Sequence, residues 1–299
     1  MALTINNNLM AATAARNLNN AYSKLSTSTQ RLSSGLRINS SADDAAGLAV
    51  RELMRADIAS LNQGVRNAND AISLIQTADG ALQVIDEKLI RMKELAEQAA
   101  TGTYTSDQRL IIDSEYQAMA SEITRIANAT DFNGIYLLNG NLSGATHSGS
   151  GLNSQGKLKV HFGSGNLSAE DYYYVQIGTS TASAFGLGLG AATSSTNAGR
   201  SISTQELAQL ALDKINDAIV SKDKIRANLG ALQNRLENTI SNLEIQAENL
   251  QAAESQISDV DVATEMTEYV RQQILTQSAV AMLSQANSLP KMALSLIQG

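Results

Sequence analysis

Apolar and small residues recur every three or four positions along most of the chain, and only its middle follows another pattern. This spacing is typical of a coiled-coil-like helix. The first helical seam ends at the polar Asn39-Ser40-Ser41. Ser41 is predicted to cap the next helix, with Asp44 closing a capping box. The members of the first seam are Ala11, Ala15, Leu18, Tyr22, Leu25, Thr29, Leu32 and Leu36.

A second seam predicts a helix from about Asp43 to Ala100, on the order of 85 Å long and too long for a compact domain. Thr101-Gly102-Thr103 ends it, and a shorter helix is predicted from about Asp107 to Ala129. The members of the second seam are Leu61, Val65, Ala68, Ile72, Ile75, Ala78, Leu82, Ile85, Leu89, Met92, Ala96 and Ala99.

The clearest heptad lies near the other end of the chain, at Leu229, Leu236, Leu243, Leu250 and Ile257. A heptad run of this length predicts a helix laid along a partner helix, which can belong to the same chain. The predicted fold is therefore mainly α, an elongated antiparallel bundle or coiled coil of long helices.

The middle of the chain predicts a small β region. Asn133-Gly134 and Asn139-Gly140 bracket a short apolar run over residues 135–138, which indicates a strand between turns. Residues 158–162 and 172–177 alternate in polarity, as in a β-hairpin with one buried face. The Gly- and Ser-rich segments 143–156 and 179–203 predict surface loops that take no part in a core.

The composition argues against several classes of partner and chemistry. The net charge is −7 and there is no cysteine, so a nucleic-acid partner, disulfides and a thiol nucleophile are not expected. No apolar run reaches the roughly 18 residues of a membrane span, which predicts no membrane insertion. The first twenty residues lack the pattern of a cleavable signal.

No pattern for catalysis is present either. His147 and His161, the two histidines, stand fourteen positions apart without a zinc-binding motif around them, and no glycine-rich segment continues into Gly-Lys-Ser/Thr. We therefore expect no enzyme activity, no catalytic or metal-binding residue and no cofactor.

The two ends of the chain carry opposite charges. Residues 1–42 contain four basic residues and no acidic one, whereas residues 258–299 contain four acidic residues and two basic ones. Ordering the backbone costs about 1–2 kcal/mol per residue, and each end has too few large apolar residues to offset that in a lone pair of helices. We therefore expect both ends to be disordered in the monomer and to become helical on polymerisation.

Several motifs give the chain a family resemblance over residues 1–140 and 200–299. The chain resembles bacterial flagellin, the subunit of the flagellar filament, in a short form without large outer domains. The motifs are residues 31–48, Arg66-Asn67-Ala68-Asn69-Asp70, Leu229-Gly230-Ala231-Leu232-Gln233-Asn234-Arg235, Ala263-Thr264-Glu265, Gln285-Ala286-Asn287-Ser288-Leu289-Pro290 and Leu294-Ser295-Leu296.

The resemblance implies three zones. Residues 1–42 with 258–299 would form the inner-tube helices, residues 43–140 with 201–257 the long-helix bundle, and residues 141–200 a short variable part facing solvent. Assembly would involve the apolar residues of the terminal helices, namely Leu18, Leu25, Leu32, Leu36, Ile274, Met282, Leu289, Leu294 and Leu296.

The same resemblance implies the partners and the location of the protein. These are other flagellin subunits, a flagellar export chaperone, and hook-associated and cap proteins, with export of the unfolded chain through the flagellar type III pathway to the extracellular filament. A hook–filament junction protein shares the N-terminal motif and is the alternative, although the C-terminal Leu-Ser-Leu motif favours flagellin.

One motif further resembles a site that is recognised by host Toll-like receptor 5. Arg91, Glu94 and Leu95 match it on one predicted helix, and Glu115 matches it on the next. Ile90 and Glu97 depart from the family pattern. The alternative interpretation is that Arg91 and Glu94 solvate a helix while Leu95 packs.

Overall fold

The computed structural model describes residues 8–147, 156–168, 170–188 and 199–298, with side chains as far as Ser288 and at Met292. The helices and strands of these residues confirm the predicted mainly α fold with a small β region. They are α1 (Leu9–Ser34), α2 (Ala45–Ala100), α3 (Ser106–Ala129), β1 (Asp131–Phe132), β2 (Ile135–Tyr136), β3 (Leu158–His161), β4 (Tyr172–Val175), α4 (Gln205–Ser258) and α5 (Val262–Gln298).

The chain divides into two compact units. The first contains residues 1–58 and 248–299, and the second contains residues 59–247. α2 and α4 contribute residues to both units.

α1 and α5 pack against each other in the first unit and run antiparallel. At one end the Asn8 side-chain amide donates a 2.8 Å hydrogen bond to the Ala286 carbonyl. At the other end Leu36 and Asp259 form an isolated antiparallel bridge. The contact therefore extends along the whole of α1.

The first helix ends earlier than the seam predicts. α1 stops at Ser34 because Gly35 adopts a left-handed conformation with φ of 72° and donates its N–H to the Arg31 carbonyl. A left-handed glycine is a common helix terminator. The prediction that this helix reaches Asn39 is wrong.

The N-cap prediction for α2 is also wrong. The Asp43 carboxylate accepts hydrogen bonds from the backbone N–H groups of Asn39 and Ser40, which makes a turn before the helix. Asp44 then caps α2 by accepting a 2.9 Å bond from the Gly47 N–H. Ser41 does not cap α2, because the turn that Asp43 forms with Asn39 and Ser40 precedes the helix and Asp44 is the capping residue.

α2, α3 and α4 form the helical core of the second unit. Asp79 and Asp86 of α2 pair with Arg226 and Lys222 of α4, respectively, so the two helices run antiparallel. Arg109 of α3 donates to the Ala99 carbonyl near the turn, so α3 runs back along α2. The fully buried apolar residues of these helices include Leu82, Ile85, Leu89, Met92, Tyr116, Ile123, Ile215 and Leu236.

The predicted hairpin in the middle of the chain is confirmed. β3 and β4 are antiparallel, with Lys159 opposite Tyr174 and Val160 opposite Tyr173. β1 and β2 pair through an Asn133-Gly134 turn in which both residues have positive φ. β2 covers Ile135–Tyr136, which is shorter than the predicted run.

The segment 179–203 differs from its prediction. Ala182, Phe185, Leu187 and Ile202 are buried and belong to the core of the second unit. The sparse large side chains of this Gly- and Ser-rich segment cover the helices, so the expectation that it takes no part in a core is wrong for its described residues.

Candidate assembly surface and the Arg91 cluster

The contact between α1 and α5 uses small or polar side chains. The most buried residues of α1 are Ala21 and Ser28, and those of α5 are Gln272, Thr276 and Ala286. Small side chains let two helices approach closely, but they bury little apolar area. The stabilisation within this helix pair is correspondingly modest.

The large apolar side chains of the pair face outward instead. Val262, Met266, Val270 and Ile274 form a stripe at four-residue spacing on α5, whereas Leu9, Met10, Leu275 and Met282 line an open groove of about 700 Å³ between the two helices. Exposed apolar patches are typical of interaction surfaces. The exposed residues of this surface are Leu9, Met10, Tyr22, Val262, Met266, Val270, Ile274, Leu275, Val280 and Met282.

The residues predicted for assembly fall into three groups. Ile274 is 57% exposed and Met282 is 62% exposed, both on this surface. Leu18, Leu25, Leu32 and Leu36 are half-buried. The side chains of Leu289, Leu294 and Leu296 lie outside the described residues.

The first predicted seam is therefore only partly correct. Tyr22 and Thr29 belong to that seam but are exposed, whereas Ala21 and Ser28, one position earlier, are buried. The missed signal is a row of small residues seven apart, Ala14, Ala21 and Ser28. The leucine spacing is the more conspicuous pattern in the sequence, so it hides this row. Small residues nevertheless determine how closely two helices can pack.

The motif at residues 31–48 joins α1 to the turn between α4 and α5. The Arg37 guanidinium donates two hydrogen bonds, of 3.2 and 2.7 Å, to the Ile257 carbonyl. The Arg37 N–H bonds to the Ser258 carbonyl, and the Val260 N–H bonds to the Gly35 carbonyl. These bonds fix the end of α1 beside the start of α5.

The same motif also fixes the start of α2. Ile38 is buried, and its carbonyl accepts a 2.9 Å hydrogen bond from the Arg51 guanidinium. Hydrogen bonds from the Ser40 backbone and hydroxyl lower the pKa of Asp43, so its carboxylate stays charged in the turn.

The opposite charges of the two ends meet at one described pair. Arg31 Nη1 of α1 lies 3.6 Å from Glu265 Oε2 of α5. The pair is partly buried, with the Arg31 side chain 30% exposed and the Glu265 side chain 12% exposed. The cost of taking both charges out of water offsets much of their attraction, so charge alone does not hold the two helices together.

The structure brings three of the four predicted receptor-site residues together. The Arg91 guanidinium donates to Glu115 at 3.0 and 2.8 Å and to Glu94 at 2.9 Å, with all three side chains exposed. The hydrogen bond to Glu115 and then that to Glu94 raise the pKa of Arg91. Leu95 is 1% exposed and belongs to the core beneath this cluster.

The part of the chain that the structure describes has neither a metal site nor a membrane-spanning helix. The described residues contain no group of three or more His, Asp or Glu side chains placed to hold a metal ion. None of their helices has the length and apolar character needed to cross a bilayer.

Comparison with known families shows which protein family the chain belongs to. Residues 5–143 match the bacterial flagellin N-terminal helical region, and residues 212–297 match the bacterial flagellin C-terminal helical region. The chain belongs to the bacterial flagellin family. The two matches cover α1 to β2, most of α4 and nearly all of α5.

Curated flagellins match over nearly the whole chain. The flagellar filament 33 kDa core protein of Treponema phagedenis is 42% identical over 297 residues, covering 99% of this chain and 100% of that protein. A flagellin of Halalkalibacterium halodurans is 40% identical over 296 residues, covering 99% of this chain and 100% of that protein.

A solved structure shows the same fold. The chain aligns with a Vibrio parahaemolyticus protein described as a flagellar hook-associated protein, with a TM-score of 0.55 and 16% identity. The alignment covers 73% of this chain and 100% of that one. At 16% identity this likeness shows a shared fold and carries no conclusion about function.

Proposed function

We propose that this chain is a structural subunit of the extracellular bacterial flagellar filament and that it polymerises with other flagellin subunits through α1 and α5. The observation that carries this role is the outward-facing apolar surface of the terminal helices. A protein that binds copies of itself through non-closing contacts grows into a filament.

Such a surface also supports ordering on assembly. The pair buries small residues such as Ala21 and Ser28 and leaves large ones such as Ile274 and Met282 in solvent. Copies stacked in a filament would bury those large side chains, each worth about 1.5–3 kcal/mol. The terminal helices would then be disordered in the monomer and ordered in the innermost layer of the filament.

The test is electron microscopy of the purified protein after salting-out. Wild-type protein forms long filaments, whereas Ile274→Asp puts a charge on the apolar surface and prevents growth. Gln273→Asp adds the same charge at the adjacent exposed position and still polymerises. Filaments from Ile274→Asp at the wild-type yield would reject the proposed interface.

The same experiment separates the filament subunit from a hook–filament junction protein. A junction protein acts in few copies, so wild-type preparations would then contain only short oligomers. The full-length likeness to filament core proteins supports the filament role. Export through the flagellar type III pathway, a flagellar export chaperone and contacts with hook-associated and cap proteins belong to this proposal.

A second role is favoured by the Arg91 cluster. We propose that Arg91, Glu94 and Glu115 form a surface recognised by host Toll-like receptor 5 on the monomer. The convergence of these three side chains from α2 and α3 supports the proposal, whereas Leu95 is buried in the core.

Receptor-reporter cells exposed to monomer test this role. Removal of one charged hydrogen-bonding group weakens binding by about tenfold, so Arg91→Ala should need that much more protein for half-maximal signalling. Arg125→Ala is the matched control because Arg125 is an exposed arginine of α3 whose ion pair with Glu122 lies away from Arg91 in the sequence. Equal potency of Arg91→Ala and Arg125→Ala would remove the proposal.

A further inference from the structure

The outer face of the β3–β4 hairpin combines cations with aromatic rings. Lys159 lies opposite Tyr174 and His161 lies opposite Tyr172, on the face away from the core-facing Val160. The Lys159 ammonium lies 3.6 Å from the centroid of the Tyr172 ring. A face with lysine on one strand and tyrosine rings on the next can bind a polar polymer through both kinds of side chain.

A cleft of about 620 Å³ lies beside this face, between β4 and α4. Its polar lining consists of Tyr174 and Gln176 from the hairpin side and Asn228 and Arg235 from α4. None of the described residues that line the cleft is acidic. The cleft offers amide, hydroxyl and guanidinium groups above an apolar wall that includes Ile225 and Leu232.

Arg235 supplies the fixed charge of the cleft. Its guanidinium carbon lies 3.6 Å from the centroid of the Tyr173 ring, so the side chain is positioned by stacking. Within the described parts of the chain, Arg235 makes no ion pair, and neither do Lys157 and Lys159. By contrast Arg226, about two helical turns away on α4, is held by Asp79.

The side chains define the chemistry of the occupant. A guanidinium binds a carboxylate through two parallel hydrogen bonds, and amides such as Gln176 and Asn228 both donate to and accept from hydroxyl groups. Tyr174 is 39% exposed, and the Lys157 ammonium lies over its ring at 5.9 Å from the centroid, so a sugar ring can stack on the part of the ring that Lys157 leaves open. Carboxylate, hydroxyls and a flat apolar face occur together in a uronic acid.

The small number of cations favours a polysaccharide over a nucleic acid. Lys157 and Lys159 are two positions apart on one strand, or about 6.6 Å, and Asp70 lines a small pocket together with Lys159. Nucleic acids carry a phosphate at every nucleotide and are bound mainly by many cations. The chain has a net charge of −7, and the described cations of this site are Lys157, Lys159 and Arg235, which favours a polymer that is also bound through its hydroxyl groups and by ring stacking.

We propose that the outer face of the β3–β4 hairpin and the adjoining cleft bind an acidic polysaccharide that contains uronic acid. A carboxylate would pair with Arg235, a sugar ring would stack on Tyr174, and the next carboxylate would lie near Lys159. This site is independent of the polymerisation surface, since all of its residues belong to the second unit.

Isothermal titration of the full-length monomer tests the site with three probes: tetragalacturonate, neutral maltotetraose and a dodecamer of deoxythymidylate. Tetragalacturonate is expected to give saturable binding and maltotetraose none at the same concentrations. Arg235→Gln and Lys159→Gln should each weaken the uronate affinity by about tenfold, the effect of losing one charged hydrogen bond.

Matched variants test whether a loss of uronate binding is specific to this site or follows from the loss of any exposed arginine or tyrosine. Arg125→Gln removes an exposed arginine elsewhere in the second unit, and Tyr136→Ala removes a tyrosine about as exposed as Tyr174. Both should bind as the wild type does, whereas Tyr174→Ala should not. Thermal unfolding of each variant checks the fold, and Lys159→Gln provides a surface test if Arg235→Gln is unstable.

Three results would overturn the proposal. The first is the absence of saturable heat with tetragalacturonate. The second is an equal loss of affinity in Arg125→Gln and Lys159→Gln. The third is tighter binding of the deoxythymidylate dodecamer than of the uronate, which would assign the surface to nucleic acid.

Discussion

Gly64 of α2 lies against the backbone that follows β3. A Cβ atom added at Gly64 would lie 1.9 Å from the Phe162 carbonyl oxygen. The nearby Asn67 side-chain amide donates a 2.8 Å hydrogen bond to the His161 carbonyl. The hairpin therefore rests directly on the helix backbone at this point.

This contact predicts opposite effects of one substitution at two glycines of the same helix. Gly64→Ala should lower the free energy of unfolding by about 1–3 kcal/mol, the range for overpacking. Gly80→Ala should raise it by about 0.5–1 kcal/mol, because nothing lies within 4 Å of an added Cβ there and alanine favours the helix. Urea unfolding of the monomer measures both, and stabilisation by Gly64→Ala would contradict the packing.

Individual residues show where sequence reasoning succeeds and where it stops. The seam from Leu61 to Ala99 predicts most of the buried face of α2, because a 3.6-residue period follows directly from helix geometry. The burial of Lys222 and the capping role of Asp44 are not predictable in that way. Both depend on which backbone or carboxylate group a neighbouring segment brings near.

At the scale of elements, charged pairs between α2 and α4 set how the two helices align. Lys222 is only 2% exposed, and its ammonium lies 2.5 Å from Asp86 and 2.8 Å from Asp223. One heptad earlier on α2, Asp79 pairs with Arg226 at 2.7 Å. Sliding one helix along the other would leave the Lys222 charge without Asp86.

Removal of Asp86 should therefore change the free energy of unfolding more than replacement of the buried Lys222 by an uncharged residue. Asp86→Ala leaves Lys222 with the exposed Asp223 alone and should lower the free energy of unfolding by about 2–3 kcal/mol. Lys222→Met keeps the volume without the charge and should be near neutral.

The control is the exposed pair of Glu122 and Arg125, for which Glu122→Ala should change stability by about 0–1 kcal/mol. Thermal and urea unfolding provide the comparison. An equally small loss of unfolding free energy in Asp86→Ala and Glu122→Ala would contradict this account of the Lys222–Asp86 pair.

Elements were easier to predict than their contacts. The long helices and the β3–β4 hairpin follow from local periodicity, which needs no knowledge of the partner. The α1–α5 contact through Ala21, Ser28 and Gln272 could not be found by searching for large apolar residues. The described core residues of segment 179–203 were missed for a related reason, because Phe185 and Leu187 stand isolated among glycines and serines.

At the scale of the whole molecule, the two units differ in how they use apolar residues. The second unit buries leucine, isoleucine and tyrosine side chains in one core that spans α2, α3 and α4. In the first unit, most of the described large apolar residues of α1 and α5 are exposed. For a flagellin this difference supports the proposal that the second unit folds alone and that the first unit is completed by neighbouring subunits.

Amide hydrogen exchange of monomer and filament, followed by mass spectrometry, tests this claim most directly. We expect residues 9–34 and 262–288 to exchange within seconds in the monomer and to be strongly protected in the filament. Residues 68–99 of α2 should be protected in both states and serve as the internal reference. Protection of residues 9–34 and 262–288 in the isolated monomer, at the level of residues 68–99, would contradict the account.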